Sequence, residues 1–239
     1  MRVTLFLPFL LLASCSTTKT AQKPDTYLDT VKQTYEAGEK ALKDEAFEEA
    51  IKNFEEVRTK YPYSKYAALS DLKLADAYFV QEKWLEAADA YDFYIRFHPR
   101  HEQNAYAWFQ IAKSYYHAIP RDFFLFPKSY VKDQTATQEA LDAVSRYLAE
   151  YPGDKNAEEA QKMRINLRSQ LALRDLHIAQ YYVKRNKLKG ALARFEHVVK
   201  LYGDTPAGAI AKKKISAYTE DNQTAYGGDL GSTEDENKK

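Results

Sequence analysis

One cysteine stands in the whole chain, Cys15, so no disulfide can form within it. A zinc site built on cysteine is excluded with it, and the five histidines fall in no HExxH spacing. Glycine and proline are scarce, 8 of each in 239 residues, which argues for long helices over many turns. Excess charge is missing too: 35 basic against 34 acidic side chains leave a formal net charge of +1. A nucleic-acid partner normally shows as a basic excess, so none is expected. There is no phosphate-cradling glycine loop and no G-x-S-x-G elbow. Carboxylate pairs such as Glu48-Glu49 and Glu158-Glu159 lie among lysines and read as solubilising charge. His98 and His101 flank Pro99 at a helix end, where capping and solvation outweigh chelation as their roles. These absences predict no catalytic residue, no metal and no cofactor: the chain reads as a non-enzyme.

What the chain has in abundance is repetition and aromatic side chains, 19 Tyr and 12 Phe. The 14-residue stretch from Glu49 to Pro62 recurs without a gap at Glu86–Pro99, Glu139–Pro152 and Gly190–Gly203. An alanine stands second in each (Ala50, Ala87, Ala140, Ala191), and a larger apolar residue follows one turn on (Phe54, Tyr91, Val144, Phe195). Upstream of each lies a second repeated element with a small residue at its centre: Gly38, Ala75, Ala112, Ala179. Trp108-x2-Ile111-Ala112-x2-Tyr115 fits the tetratricopeptide (TPR) pattern of tryptophan, leucine, glycine and tyrosine at that spacing. Small residues let the two helices of a hairpin approach, and the large one fills the space between hairpins. The spacing of 37 residues from Gly38 to Ala75 and from Ala75 to Ala112 is slightly long for a motif whose period is about 34. The fold predicted is all-α, a TPR solenoid of about five helix-turn-helix repeats.

Hairpins are expected at about 27–62, 66–99, 104–152 and 155–203, with a cap at 207–219. The third hairpin carries an insert, 119–135, which contains Phe123-Phe124-Leu125-Phe126-Pro127 and ends in Asp133-Gln134-Thr135. A loop that long and aromatic is expected to be functional, or to fold back on the solenoid. Between Lys155 and Lys189 there is no Pro and no Gly, and apolar residues recur at helical spacing, so one helix of about thirty residues is predicted there. From Glu220 to Lys239 the chain turns polar and acidic and is expected to be disordered. At the other end, Arg2 precedes an apolar run, Val3 to Leu12, too short to span a bilayer as a mature helix. Leu12-Ala13-Ser14-Cys15 follows and resembles a bacterial lipobox. That resemblance implies a cleaved signal peptide, 1–14, and lipid chains on Cys15, with 15–26 as a flexible tether. Ser16, in place of the aspartate that retains enterobacterial lipoproteins in the inner membrane, points to the periplasmic leaflet of the outer membrane.

In TPR solenoids the first helices line the concave face through positions 2, 5, 9 and 12. Here these are Lys32, Tyr35, Glu39 and Leu42, then Leu69, Leu72, Asp76 and Phe79, then Tyr106, Phe109, Lys113 and Tyr116. Aromatic and apolar groups alternate with single charges, a lining suited to an extended peptide. The predicted peptide contacts are Tyr35, Leu72, Asp76 and Phe79, with Tyr106, Phe109, Lys113 and Tyr116. Repeat four offers Leu173, Leu176, Gln180 and Val183, a more apolar set suited to packing against a partner or its own neighbours.

The lipobox, Ala50-Ile51-x2-Phe54, Tyr61-Pro62-Tyr63-Ser64-x-Tyr66-Ala67, Arg96-Phe97-His98-Pro99, Asp133-Gln134-Thr135 and Arg194-Phe195-x6-Tyr202-x-Asp204-Thr205-Pro206 occur in that order. Over roughly 12–219 the sequence is similar to the BamD family, also called ComL or YfiO, of TPR lipoproteins in the outer-membrane β-barrel assembly machine. The resemblance implies N-terminal repeats that receive targeting strands of unfolded outer-membrane β-barrel proteins. It implies C-terminal repeats that dock the POTRA region of BamA, with Arg194 at a basic family position near that contact. Other lipoproteins of the machine are a further partner class it leaves open. Gly203 stands where the family usually has proline. The competing reading is a TPR adaptor lipoprotein for envelope tethering, with peptidoglycan or division partners.

Overall fold

The computed structural model describes residues 27–120 and 133–227. The expected signal peptide (1–14), Cys15, the expected tether, positions 121–132 of the insert and the tail beyond 227 lie outside the described residues. Among these there are nine helices and no strand: α1 (Tyr27–Lys43), α2 (Phe47–Lys60), α3 (Lys65–Val80), α4 (Trp84–Phe97), α5 (Asn104–Ala118), α6 (Thr135–Glu150), α7 (Ala157–Lys184), α8 (Leu188–Tyr202) and α9 (Pro206–Gly227). Each packs on its neighbours in the chain, and α1 also meets α3, α5 meets α7 and α7 meets α9. That is the arrangement of stacked hairpins, first helices against first helices.

The repeated residues explain it. Ala50, Ala87, Ala140 and Ala191 are fully buried, as are Phe54, Tyr91, Val144 and Phe195. At Gly38 the approach is so close that a Cβ would come within 2.7 Å of the Phe54 ring. Between hairpins the turns also repeat. Tyr61, His98 and Tyr151 share one backbone conformation (φ near −130°, ψ near 50°) and each donates its N–H back to the helix it closes. The proline that follows each of them disfavours further helix. Gly203, in place of that proline, has φ −62° and ψ −17°, so repeat four closes with its backbone still right-handed. Within hairpins the bend comes from a residue at positive φ: Glu45, Glu82 and Asn186, each seven residues past the small residue of its first helix. The corresponding place in repeat three is Ile119, where the insert leaves α5.

The core falls into three clusters. Val31, Tyr35, Phe54 and Val57 form the first, with Leu74 of α3 reaching into it. The middle cluster joins α3 to the first half of α7 through Tyr91, Phe109, Tyr147 and Leu167. The last joins the second half of α7 to α8 and α9 through Leu176, Phe195, Val198 and Ala211. The 28-residue α7 therefore straddles a seam between two cores, its face changing from Ala160, Met163 and Leu167 to Ala172, Leu176 and Ala179.

The tail expected to be disordered from 220 begins as helix instead, since α9 runs on to Gly227. Its start is strongly fixed. Thr205 Oγ1 accepts the N–H of Gly208 at 3.2 Å, an N-cap, and Pro206 occupies the first helical position. Gly208 itself is pressed on the Tyr202 carbonyl, where a side chain would clash. Ala207 and Ala211 are buried, and Ile215 and Tyr218 pack on the repeat-four core. From Ala209 to Tyr226 there is no proline or glycine, so nothing local stops the helix at 219.

Candidate functional sites: the first-helix face and the repeat-four cleft

The first-helix face is organised by one carboxylate. Asp76 of α3, only 13% exposed, accepts hydrogen bonds from the hydroxyls of Tyr91 (2.6 Å, α4) and Tyr106 (2.9 Å, α5), and from Lys73 Nζ (3.1 Å). Gln110 Nε2 donates in turn to the Tyr106 hydroxyl at 2.8 Å. Burial and then the Asp76 charge push the Tyr106 phenol up to about 12, and burial with the same charge pushes Tyr91 well above the usual phenol range. In repeat one, Tyr35 donates to Glu39 at 3.0 Å and is raised mainly by burial, with Glu39 and then Asp76 adding to it.

The predicted peptide contacts divide by helical position. Position 5 points into the core: Tyr35, Leu72 and Phe109 are all buried, and so is Leu176 in repeat four. These side chains form the floor beneath the face. At 3.6 residues per turn positions 2, 5, 9 and 12 fall within about 80° of one another, so they share one face and the packing of the neighbouring helices decides which is covered. Asp76 is at the face, but its oxygens are occupied by protein donors. Phe79, Lys113 and Tyr116 are half-buried. Lys113 Nζ lies 5.8 Å from the Phe79 ring centre and 5.4 Å from that of Phe109, with Glu159 of α7 at 3.4 Å. Phe79 also meets Trp84 edge-on at 5.0 Å, and Trp84 stacks on His117 at 4.8 Å. A cation on an aromatic shelf thus adjoins a saturated carboxylate. Sequence reasoning missed Tyr91, Gln110 and Glu159; the available signal was a hydroxyl at the Tyr91 position, which the other repeats fill with Phe or Val.

The second site lies where α6 begins. The Asp133 carboxylate accepts the Thr135 hydroxyl at 2.9 Å and the Thr135 N–H at 3.2 Å, fixing the first residue of α6. The hydroxyl, then the backbone bonds, hold this carboxyl below its usual range. Asp133, Gln134, Thr135 and Gln138 share a cleft of about 360 Å³ with Arg174, Asp175, His197 and Tyr202. His197 Nδ1 is 3.2 Å from Asp175. The Asp-Gln-Thr stretch and repeat four, some sixty residues apart in sequence, therefore form one surface. Arg194 is exposed on α8, one turn before His197 and on the same side of the helix. Asp204 completes this end: Arg168 of α7 donates to it at 2.6 Å and to the Leu201 carbonyl at 2.8 Å, and the guanidinium holds Asp204 below the usual carboxylate range.

His98 and His101 are both engaged. His98 Nε2 is 2.8 Å from the buried Asp71, whose carboxyl burial raises and His98 pulls down. His101 Nδ1 accepts the Gln103 N–H and is 2.6 Å from the Tyr94 hydroxyl, which must then be its donor. Among the described residues no group of three or more metal-ligating side chains occurs, and no helix is long and apolar enough to cross a membrane.

Stacked helical hairpins of this kind define a TPR-type solenoid. The chain belongs to the YfiO family of outer membrane lipoproteins, whose model matches residues 28–226. It is similar to "Outer membrane protein assembly factor BamD" of Caulobacter vibrioides, 27% identical over 175 residues, covering 73% of this chain and 55% of that protein. The proteins of the same description in Neisseria meningitidis serogroup B (25% identical, 82% of this chain and 75% of that one) and Vibrio cholerae (26%, 79% and 78%) are similar as well.

Proposed function

We propose that the chain is an outer-membrane protein assembly factor: a lipid-anchored, non-enzymatic adaptor that docks BamA and holds targeting segments of unfolded β-barrel proteins. The observation that carries this is the family match over 28–226, which takes in nearly the whole described solenoid. The two sites supply the division of labour. Along repeats one to three, Phe79, Tyr106, Lys113 and Tyr116 present aromatic surface and one cation to an extended segment, over a floor of Tyr35, Leu72 and Phe109. Asp76 sets the register of that face by fixing Tyr91 and Tyr106. At the other end Arg194 stands beside the cleft where Asp133-Gln134-Thr135 meets repeat four, and we assign this end to the POTRA region of BamA. Lipid on Cys15 would hold both events at the periplasmic leaflet of the outer membrane. Other lipoproteins of the machine remain candidate partners. Each step is a binding equilibrium, so no reaction centre is needed.

The test is a tagged pull-down from detergent-solubilised outer membranes, comparing wild type with Arg194→Glu and Cys15→Ser. BamA should co-purify with wild type and fall with Arg194→Glu while membrane attachment persists; Cys15→Ser should release the chain from the membrane. A wild-type pull-down without BamA would overturn the reading in favour of an envelope-tethering adaptor.

A further inference from the structure

The opposite face of α5 carries a different surface. Tyr106, Phe109 and Lys113 look toward the first helices, whereas Trp108, Ile111 and Tyr115 look between α4 and α6 and floor a cleft of about 390 Å³. Two carboxylates stand on the α4 side, Asp89 and Asp92, and two on the α6 side, Glu139 and Asp142, with Arg146 the single cation in the lining. Asp92 is bonded to Arg96 at 2.9 Å and Asp142 to Gln138 at 2.9 Å. Asp89 and Glu139, facing each other across the floor, have no hydrogen bond or ion pair among the described residues. Burial, then the charges of Asp89, Glu139 and Asp92, raise the Tyr115 phenol, so the carboxylates converge on its end of the cleft. The Arg146 guanidinium, whose charge opposes that rise, lies 5.8 Å from the Trp108 ring centre. The protein thus already seats one of its own cations on this aromatic floor.

We propose that this cleft is a docking groove for a basic, extended segment of a partner protein, with a lysine or arginine side chain held over the aromatic floor between Asp89 and Glu139. Three features select that occupant. Four carboxylates against one guanidinium repel an acidic chain and attract a basic one. A half-buried Trp–Tyr floor favours a cation over its ring faces. The open trough between two helices admits a chain rather than a compact ligand. The site does not depend on the family reading, since it lies on the face away from the proposed peptide surface and shares no residue with either site above.

The probe is a fluorescein-labelled peptide of alternating glycine and lysine, titrated at low salt into the full-length protein in detergent and read by anisotropy. Saturable binding is expected, weakened about tenfold by Asp89→Asn combined with Glu139→Gln. Both side chains are at the surface, so the fold should be unaffected. Arg146→Gln removes the resident cation and should tighten binding about threefold. Glu48→Gln with Glu49→Gln, on α2, is the control and should change nothing. Absence of binding to wild type overturns the proposal. So does an equal loss from both double variants, which would mean diffuse attraction, or an Arg146→Gln variant that binds no better.

Discussion

Repeats two and four put different atoms at one buried position. In repeat two it is Tyr91, whose ring meets Tyr106 of the next helix edge-on at 6.2 Å and whose hydroxyl ends on Asp76. In repeat four it is Phe195, stacked at 6.2 Å on Tyr218 of α9. The residue equivalent to Asp76 is there Gln180, which is exposed. The middle core is thus laced by hydrogen bonds to a charged acceptor, while the C-terminal core is held by apolar packing and by the Arg168–Asp204 pair outside it. Buried polar bonds demand one geometry and so fix register. Apolar packing tolerates adjustment; Leu173, Tyr181 and Leu201 of repeat four and Ile210 of α9 are substantially uncovered, as Val80, Leu85 and Phe97 are in repeat two. A fixed face for a peptide and an adjustable, partly apolar end for a folded partner are what the proposed division of labour asks of the scaffold.

The largest effect should come from cutting the two regions apart. The α7 seam lies between Leu167, in the middle core, and Ala172, in the last. Gln170→Pro removes a helical hydrogen bond there and clashes with the preceding turn, at a cost of about 3 kcal/mol or more. Because repeats couple through their neighbours, thermal unfolding followed by circular dichroism should split into two transitions, repeat four melting first. One transition at the wild-type temperature would mean that the two cores stay coupled without an intact α7 seam.

Substitutions at the equivalent positions sharpen the contrast. Asp76→Ala strands the buried Tyr91 phenol and the half-buried Tyr106 phenol and should cost about 2–3 kcal/mol in urea denaturation, with Asp76→Asn costing less because it can still accept. Gln180→Ala, at the same place in repeat four, should stay within about 0.5 kcal/mol. Equal losses would show that the latch contributes nothing beyond packing.

The repeat was legible because its signal is spacing: Ala50, Ala87, Ala140 and Ala191 announce the hairpins without any knowledge of contacts. Role within the repeat was less so. Tyr35, Leu72 and Phe109 share a helix with Lys113 or Asp76-type neighbours, and composition does not say which of four positions turns inward. The bends at Glu45 and Glu82 carried no glycine to mark them, although both take a positive φ. The Asp76 latch joins residues 15 and 30 positions apart, which no local pattern connects. The Asp204-Thr205-Pro206 stretch could be noticed as a motif, but its division into ion pair, N-cap and first helical residue required the structure.

Alkaline pH should act on the middle repeats through the same latch. Below about pH 10 the phenols are protonated in both folded and unfolded chains, and their contribution is constant. Between about 10 and 12 the unfolded chain loses those protons while Tyr106, raised to about 12, keeps its own. The unfolded state then binds fewer protons, so stability falls as pH rises, by about 2 kcal/mol for Tyr106 alone. Urea midpoints measured across that window should decline, and Tyr106→Phe should flatten the slope. An unchanged slope in that variant would place the loss elsewhere.

The smallest effect belongs to repeat four. Asp204 is well exposed and its bond to Arg168 is short, so the pair gains little from low dielectric and is screened by salt. Asp204→Asn should cost under about 1 kcal/mol, and the loss should vanish in high salt. Because Arg168 lowers the Asp204 pKa, the contribution is present at neutral pH and is lost as pH falls through that depressed value. Arg168→Ala should cost somewhat more and retain part of its effect in salt. It also removes the bond to the Leu201 carbonyl and the contact of the guanidinium with the Tyr202 ring at 5.6 Å, neither of which is an ion pair. If both variants lose the same amount at every salt concentration, the α8–α9 corner is held by packing and the Thr205 cap, and the arginine is only resting on it.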